Sequence, residues 1–278
     1  MAVNSINTNA QALIALQSIN TTNAQLSAAQ KRVSTGYRVS DAKDDGGAFA
    51  VAQAVRSDVA GVIAVGEQLG GVKGILQTTF ASLSVVSDTM KQLRAVLTRL
   101  ADAAISSDQR TQYAKQFELL ADQVGKFVDD ATYNGRTLLS TDTTKGGGDI
   151  TAIRNEGGGT FTINAVDGAN LKITPPTAPA TASAAKTWIA SGGEFDDVDE
   201  EISTALNTFG ASMAFVDSQI TYNAKKVDAM ETGLGALVDA DLAKESSTLQ
   251  ALQVRQQLGI QTLGLANQGP QVLLGLFR

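Results

Sequence analysis

The chemistry open to this 278-residue chain is limited at once, because it contains neither cysteine nor histidine. Thiolate nucleophiles, disulfides, imidazole bases and the commonest transition-metal ligands are therefore absent. Carboxylate, amine and hydroxyl chemistry remains. Asp44 with Asp45, and Asp239 with Asp241, are close in sequence, but adjacent or alternate carboxylates on a helix point apart and do not flank one bond. The run Glu194, Asp196, Asp197, Asp199, Glu200 and Glu201 suits the positive amino-terminal end of a helix and a solvated face, and no matching ligand set accompanies it to hold a cation. Gly66 and Gly71 have the separation of a phosphate-binding loop. Val72, however, stands where a lysine must follow, and no strand precedes them. No catalytic residue, metal site or cofactor is expected, and the chain does not read as an enzyme.

Charge and hydropathy exclude further classes. A net charge of −6 and an isoelectric point near 4.8 argue against a nucleic-acid partner, since phosphate backbones recruit clustered Lys and Arg. No run of some twenty apolar residues stands out as a membrane span. Leu249 to Phe277 is amphipathic, but its polar face lacks the basic residues that anionic lipid requires. Met1 to Asn20 lacks the basic and apolar regions of a secretory signal, so export, if it occurs, is expected without a cleaved leader.

The elements that could organise such a chain are helices. Proline is absent from Met1 through Thr174, which permits long uninterrupted ones. Leu76, Leu83, Val86, Met90, Leu93, Leu97 and Leu100 step by three and four once past one skipped position, as a heptad seam does. Ser106-Ser107-Asp108 reads as the start of a second helix, with Tyr113, Phe117, Leu120, Val124 and Phe127 on its apolar face. A third stripe runs Ile202, Leu206, Phe209, Met213, Val216, Ile220, Val227, Met230, Leu234 and Leu237, with Asn223 polar within it. Three such stripes can be buried together as one bundle.

Between Thr143 and Gly193 lie nine of the 26 glycines and three of the four prolines, so this block is expected to be non-helical and exposed. Phe161, Ile163 and Ala165, then a turn at Asp167-Gly168, then Leu171 and Ile173 read as a small β-hairpin, with Trp188 as a packing anchor. Tyr133-Asn134-Gly135 is a second turn signal. Gly61, Gly66, Gly70, Gly71 and Gly74 mark close helix approach or a soft segment.

The two ends differ from the rest. Ile6, Leu13, Leu16, Leu26 and Val33 are read as one narrow stripe among Asn, Gln, Ser and Thr, and Leu242, Leu249, Leu252, Leu263 and Ala266 as another. Each segment would make a helix roughly 50 Å long. Neither can bury its stripe alone, so the ends are expected to pair with each other and with further copies of the chain.

At this point motifs accumulate. Lys31-Arg32-Val33-Ser34-Thr35-Gly36-Tyr37-Arg38-Val39, followed by Ser40-Asp41-Ala42-Lys43-Asp44-Asp45, resembles the amino-terminal signature of bacterial flagellins. Gly74-Ile75-Leu76-Gln77-Thr78 and Tyr133-Asn134-Gly135-Arg136-Thr137-Leu138-Leu139 are similar to further motifs of that family. So are Asp239-Ala240-Asp241-Leu242-Ala243-Lys244-Glu245, then Ala266-Asn267-Gln268, and Leu273, Leu274 and Leu276 at the close. Within these motifs the resemblance singles out Arg32, Gly36, Ala42, Lys43, Asp44, Asp45, Asn134 and Gly135, with Asn267 and Leu273 joining the terminal stripe.

The resemblance implies a mainly α fold: long coiled-coil helices from paired amino- and carboxyl-terminal segments, a helical-bundle outer domain and a small β-hairpin region. Residues 1–40 and 239–278 would form the inner domain, 41–71 a spoke, 72–140 and 194–238 the outer core, and 141–193 a small exposed region. The expected core residues of that outer domain are Leu83, Val86, Met90, Leu93, Leu97, Phe117, Leu120, Val124, Phe209, Met213, Val216 and Ile220. The resemblance further implies a secreted, self-assembling filament subunit for motility. Its partners would be other copies of itself, the flagellar type III export apparatus and an export chaperone, hook-associated junction and cap proteins, and other flagellins. A hook–filament junction protein is the alternative within the same export system. Gln92 departs from the pattern, standing where receptor-stimulating members carry arginine.

Overall fold

A computed structural model describes residues 9–276 of the chain, with side chains described as far as residue 268. Six α-helices and one two-stranded sheet follow in order: α1 (Ala10–Thr35), α2 (Gly46–Leu100), α3 (Ser107–Asp129), β1 (Ile150–Ile153), β2 (Thr160–Ile163), α4 (Ala182–Ile189), α5 (Glu194–Val238) and α6 (Leu242–Leu276). The fold is mainly α. The chain divides into two compact units, with boundaries between Ser57 and Asp58 and between Asp228 and Ala229.

Local chemistry sets the helix ends. Asn9 caps α1, its side chain accepting from the Ala12 N–H at 3.1 Å, and Gly36 at φ 74° closes it by donating to Arg32 O. Asp45 caps α2 through Ala48 N, and Asp241 caps α6 through Ala243 N and Lys244 N. Ser106 and Gln109 form a reciprocal capping box at the head of α3. Glu194, Asp196 and Asp197 occupy the first turn of α5, where the helix dipole favours negative charge.

The central unit, residues 58–228, has one large core. Leu76, Leu83, Val86, Met90, Leu93, Leu97 and Leu100 of α2 are buried against Phe117 and Val124 of α3 and against Ile202, Phe209 and Val216 of α5. Leu120, Met213 and Ile220 are half-buried at its margin. The skipped heptad position is Thr79, fully buried, whose hydroxyl donates to Ile75 O at 2.9 Å and so enters the seam satisfied. Asn223 is buried likewise, donating to Arg154 O at 3.3 Å and accepting from Gln219 Nε2 at 3.0 Å.

The middle block differs from the sequence expectation in three ways. The hairpin pairs β1 with β2, Ile150 facing Ile163 and Ile153 facing Thr160, so Phe161 and Ile163 lie on its second strand rather than its first. Leu171 and Ile173 form no strand. The Asp167-Gly168 turn is present, with Asn170 N donating to Asp167 O, but beyond β2 Val166 N donates to Leu138 O and diverts the chain. Secondly, α4 follows the proline cluster, capped by Thr181, and its Trp188 ring lies 5.9 Å from that of Phe117. Thirdly, the block is no exposed appendage, because Ile150, Ile163, Leu171, Ile173 and Ala185 are buried in the common core.

The α2 glycines also separate into two kinds. A Cβ at Gly61 would lie 3.1 Å from Glu156 Cβ, and one at Gly74 would lie 2.8 Å from Tyr133 Cζ, whereas Gly66, Gly70 and Gly71 face open space. The helix runs through all five without interruption. Tyr133 is held by a tight turn in which Asn134 (φ 50°) and Gly135 (φ 73°) are both left-handed.

Candidate assembly surface

The terminal unit is built around α1 and α6, which run antiparallel. Asn9 Nδ2 donates to Ala266 O at 2.7 Å, Gln256 Nε2 to Asn23 Oδ1 at 2.7 Å, and Arg32 Nη1 meets Glu245 Oε1 at 3.2 Å. The inward positions of α1 are Ala12, Ala15, Ile19, Thr22, Leu26, Ala29 and Val33, a strict alternation of three and four. Those of α6 are Glu245, Leu249, Leu252, Gln256, Gly259, Leu263 and Ala266. Ile19 fits over Gly259, where an added Cβ would lie 3.0 Å from Ile19 Cγ1. The seam thus uses small residues to bring two helices together.

The expected stripe divides between this seam and the open surface. Leu26, Val33, Leu249, Leu252, Leu263 and Ala266 lie on the seam, but Leu13 (58 % exposed), Leu16, Leu242 and Asn267 do not. Ile6 lies outside the described residues, as does the side chain of Leu273. The inward face of α1 is marked by alanines at 12, 15 and 29 more than by its large aliphatic residues. That spacing was the available signal.

The corner between α1 and α2 gathers the motif residues. Asp44 Oδ2 accepts from Lys31 Nζ at 2.8 Å, from Ser40 N at 3.0 Å and from Ser40 Oγ at 3.0 Å. Asp41 Oδ2 receives the same ammonium at 2.7 Å, and its Oδ1 accepts from Lys43 N. The shared ammonium, followed by these backbone donors, holds Asp41 and Asp44 below the usual carboxylate range, and the two carboxylates raise Lys31. Ala42 and Lys43 are exposed on the turn these bonds define. Gly36 O accepts from Ala240 N at 2.9 Å, and Arg38 N donates to Val238 O at 2.7 Å, which ties the corner to the end of α5. Val39, Ala52 and Val238 form a small core beneath it. Arg32, Gly36, Asp44 and Asp45 therefore act as a clasp, a cap, a hub and a second cap, and Asn134 and Gly135 act in the turn beside Gly74.

Much apolar surface stays uncovered. Leu13, Ile14 and Leu16 on α1, and Val254, Leu258, Ile260 and Leu265 on α6, are exposed. Val254, Leu258 and Leu265 step by four and seven on the side of α6 turned from the seam. The helix α2 contains an 18-residue window of mean hydropathy 1.5 of which 17 % is buried, enough by length and composition to pass as a membrane span. Arg56, Asp58 and Glu67 punctuate the helix, so the sequence shows no unbroken apolar run there.

Family models and curated relatives identify one family. The model described as bacterial flagellin N-terminal helical region matches residues 6–144, and that of the C-terminal helical region matches residues 195–277. The chain is 36 % identical over 280 residues to flagellin FljK of Caulobacter vibrioides, covering 100 % of both, and 32 % identical over 293 residues to a flagellin of Brucella melitensis, covering 99 % of both. A crystal structure of Bacillus cereus flagellin aligns with a TM-score of 0.49 at 22 % identity, over 56 % of this chain and 88 % of that one.

Proposed function

This chain belongs to the bacterial flagellin family, and from that premise we propose that it is a structural subunit polymerising into the helical filament of the flagellum. The observation that carries this reading is the apolar surface of α1 and α6, left open by a two-helix pairing that cannot cover it. A contact between different faces of identical copies closes into a ring or runs on as a helical filament, and the family the chain belongs to favours the filament.

Residues 1–40 and 239–278 serve as the inner domain, 41–71 as the spoke, and the helices of 72–140 and 194–238 as the outer domain. The subunit reaches the cell exterior through the flagellar export apparatus, handed over by an export chaperone, and meets hook-associated junction and cap proteins and other flagellins there. A chain without cysteine suits passage through a narrow channel, since it cannot crosslink on the way. The junction-protein alternative is not favoured, because relatives named flagellin match over the whole length of the chain.

Seeded polymerisation tests the reading. Purified monomer is expected to lengthen short filament seeds, seen by electron microscopy. Leu258 is 56 % exposed, so assembly has about half of a leucine's 1.5–3 kcal/mol burial still to gain. Leu258→Ser should therefore raise the critical concentration for growth about three- to tenfold, while the melting of the monomer loses only the part of the side chain that is already covered. Monomer that never lengthens seeds refutes the filament reading.

A further inference from the structure

The terminal unit holds a groove of about 420 Å³ between α1 and α6, floored by Ala28, Ala29, Ala251 and Leu252 and edged by Arg255. Arg32 at the same groove is already paired with Glu245. Arg255 is different. It is exposed, and among the described residues it has no hydrogen bond or ion pair. It is also the only charged residue of α6 beyond Glu245. If this surface is covered on assembly, an unpaired guanidinium would be taken out of water, which is costly unless the covering surface supplies an anion.

A surface of that kind exists on the chain itself. Helical spacing puts Gly47, Val51, Ala54 and Asp58 of α2 in one row, all exposed, with Ala50 beside them. The row is small and apolar, suited to lying in a shallow groove at close interaxial distance. Asp58 is its single charge, and among the described residues it too has no hydrogen bond or ion pair. Both side chains stay exposed, with no partner among the described residues of one chain.

We propose that the α1/α6 groove of one copy receives the Gly47–Asp58 row of a second copy, with Arg255 paired to Asp58 across the contact. Two different faces meet, so the contact is heterologous and repeats along the assembly rather than closing a two-fold dimer. The inference rests on the filament reading and adds the pair of surfaces that join copies.

Charge exchange in seeded growth tests it. Asp58→Arg and Arg255→Asp should each slow elongation by about tenfold or more, the factor that corresponds to 1.4 kcal/mol, with monomer melting as in the unsubstituted chain. Combining them should recover most of the lost rate, because the pair is restored with its sign reversed. Independently, the absence of native cysteine means that Asp58→Cys combined with Arg255→Cys, oxidised in the filament, should give a ladder of covalent dimers, trimers and longer species. Either single cysteine variant should give none. Failure of the unsubstituted chain to lengthen seeds would refute the filament reading itself. Normal seeded growth of the unsubstituted chain with unimpaired single reversals, or with a double reversal no faster than the singles, overturns the Arg255–Asp58 contact alone.

Discussion

Gly70 and Gly71 lie inside α2, exposed, and a Cβ at either would meet nothing within 4 Å. Glycine in a helix interior costs about 1 kcal/mol relative to alanine, because it loses more backbone entropy on folding. Gly70→Ala combined with Gly71→Ala should therefore stabilise the central unit by about 2 kcal/mol. For a unit of this size, spanning residues 58–228, each kcal/mol moves the melting temperature by about 2–4 °C, so the double variant should melt about 4–8 °C higher. Gly74→Ala, on the same helix, should behave otherwise. Its Cβ would sit 2.8 Å from Tyr133 Cζ and 3.1 Å from Tyr133 Oη. The Tyr133 backbone is held by reciprocal bonds with Arg136 of 2.8 and 3.0 Å, so the ring cannot withdraw freely and the propensity gain is offset. Removing the ring with Tyr133→Ala should then let Gly74→Ala recover its gain of about 1 kcal/mol, a coupling that a double-mutant cycle isolates. Calorimetry of dilute monomer measures all of these. A double variant at 70 and 71 that melts no higher, or a Gly74→Ala variant that gains as much without help, refutes the contact-based reading of these glycines.

Three further outcomes are expected. The depressed carboxylates of the corner make its stabilisation fully present above roughly pH 4 and lost as pH falls through their folded values, while the raised Lys31 has the opposite limit above roughly pH 10.5; Asp44→Asn should flatten the acid limb of a pH titration of terminal-unit helicity, and an unchanged limb would contradict the hub assignment. Leu93→Ala removes a fully buried side chain from the central core and should cost about 2–5 kcal/mol in urea unfolding, whereas Leu119→Ala, at a position 72 % exposed, should stay within about 0.5 kcal/mol. Deleting residues 146–192 takes Ile150, Ile163, Leu171 and Ile173 out of the core, so circular dichroism should show loss of the cooperative melt; a deletion variant that melts like the full chain would mean these contacts are dispensable.

What the sequence determined by itself was local or carried by large side chains. Ser106, Asp45 and Asp241 are capping types directly before their helices, and a cap needs only residues within three positions. The aliphatic heptad from Leu76 to Leu100 identified its own buried face, because branched residues at steps of three and four leave little alternative. The acidic head of α5 and the left-handed turn at Asn134-Gly135 were legible for the same reason. Tertiary structure decided the rest, wherever burial depends on a distant partner instead of on size. Ala12, Ala15, Ala29 and Gly259 form the α1–α6 seam through their smallness, which means nothing until a second helix lies against them. The four-residue strand β1 is too short to announce itself. Its partner was settled when Val166 N bonded to Leu138 O and turned the chain after β2 away from Leu171 and Ile173. Leu13 and Leu16 belong by type to an apolar stripe, but the α1–α6 seam runs along another face of α1 and leaves them exposed. Side-chain hydrophobicity is a property of the residue, whereas the direction it faces is set by what the fold brings alongside.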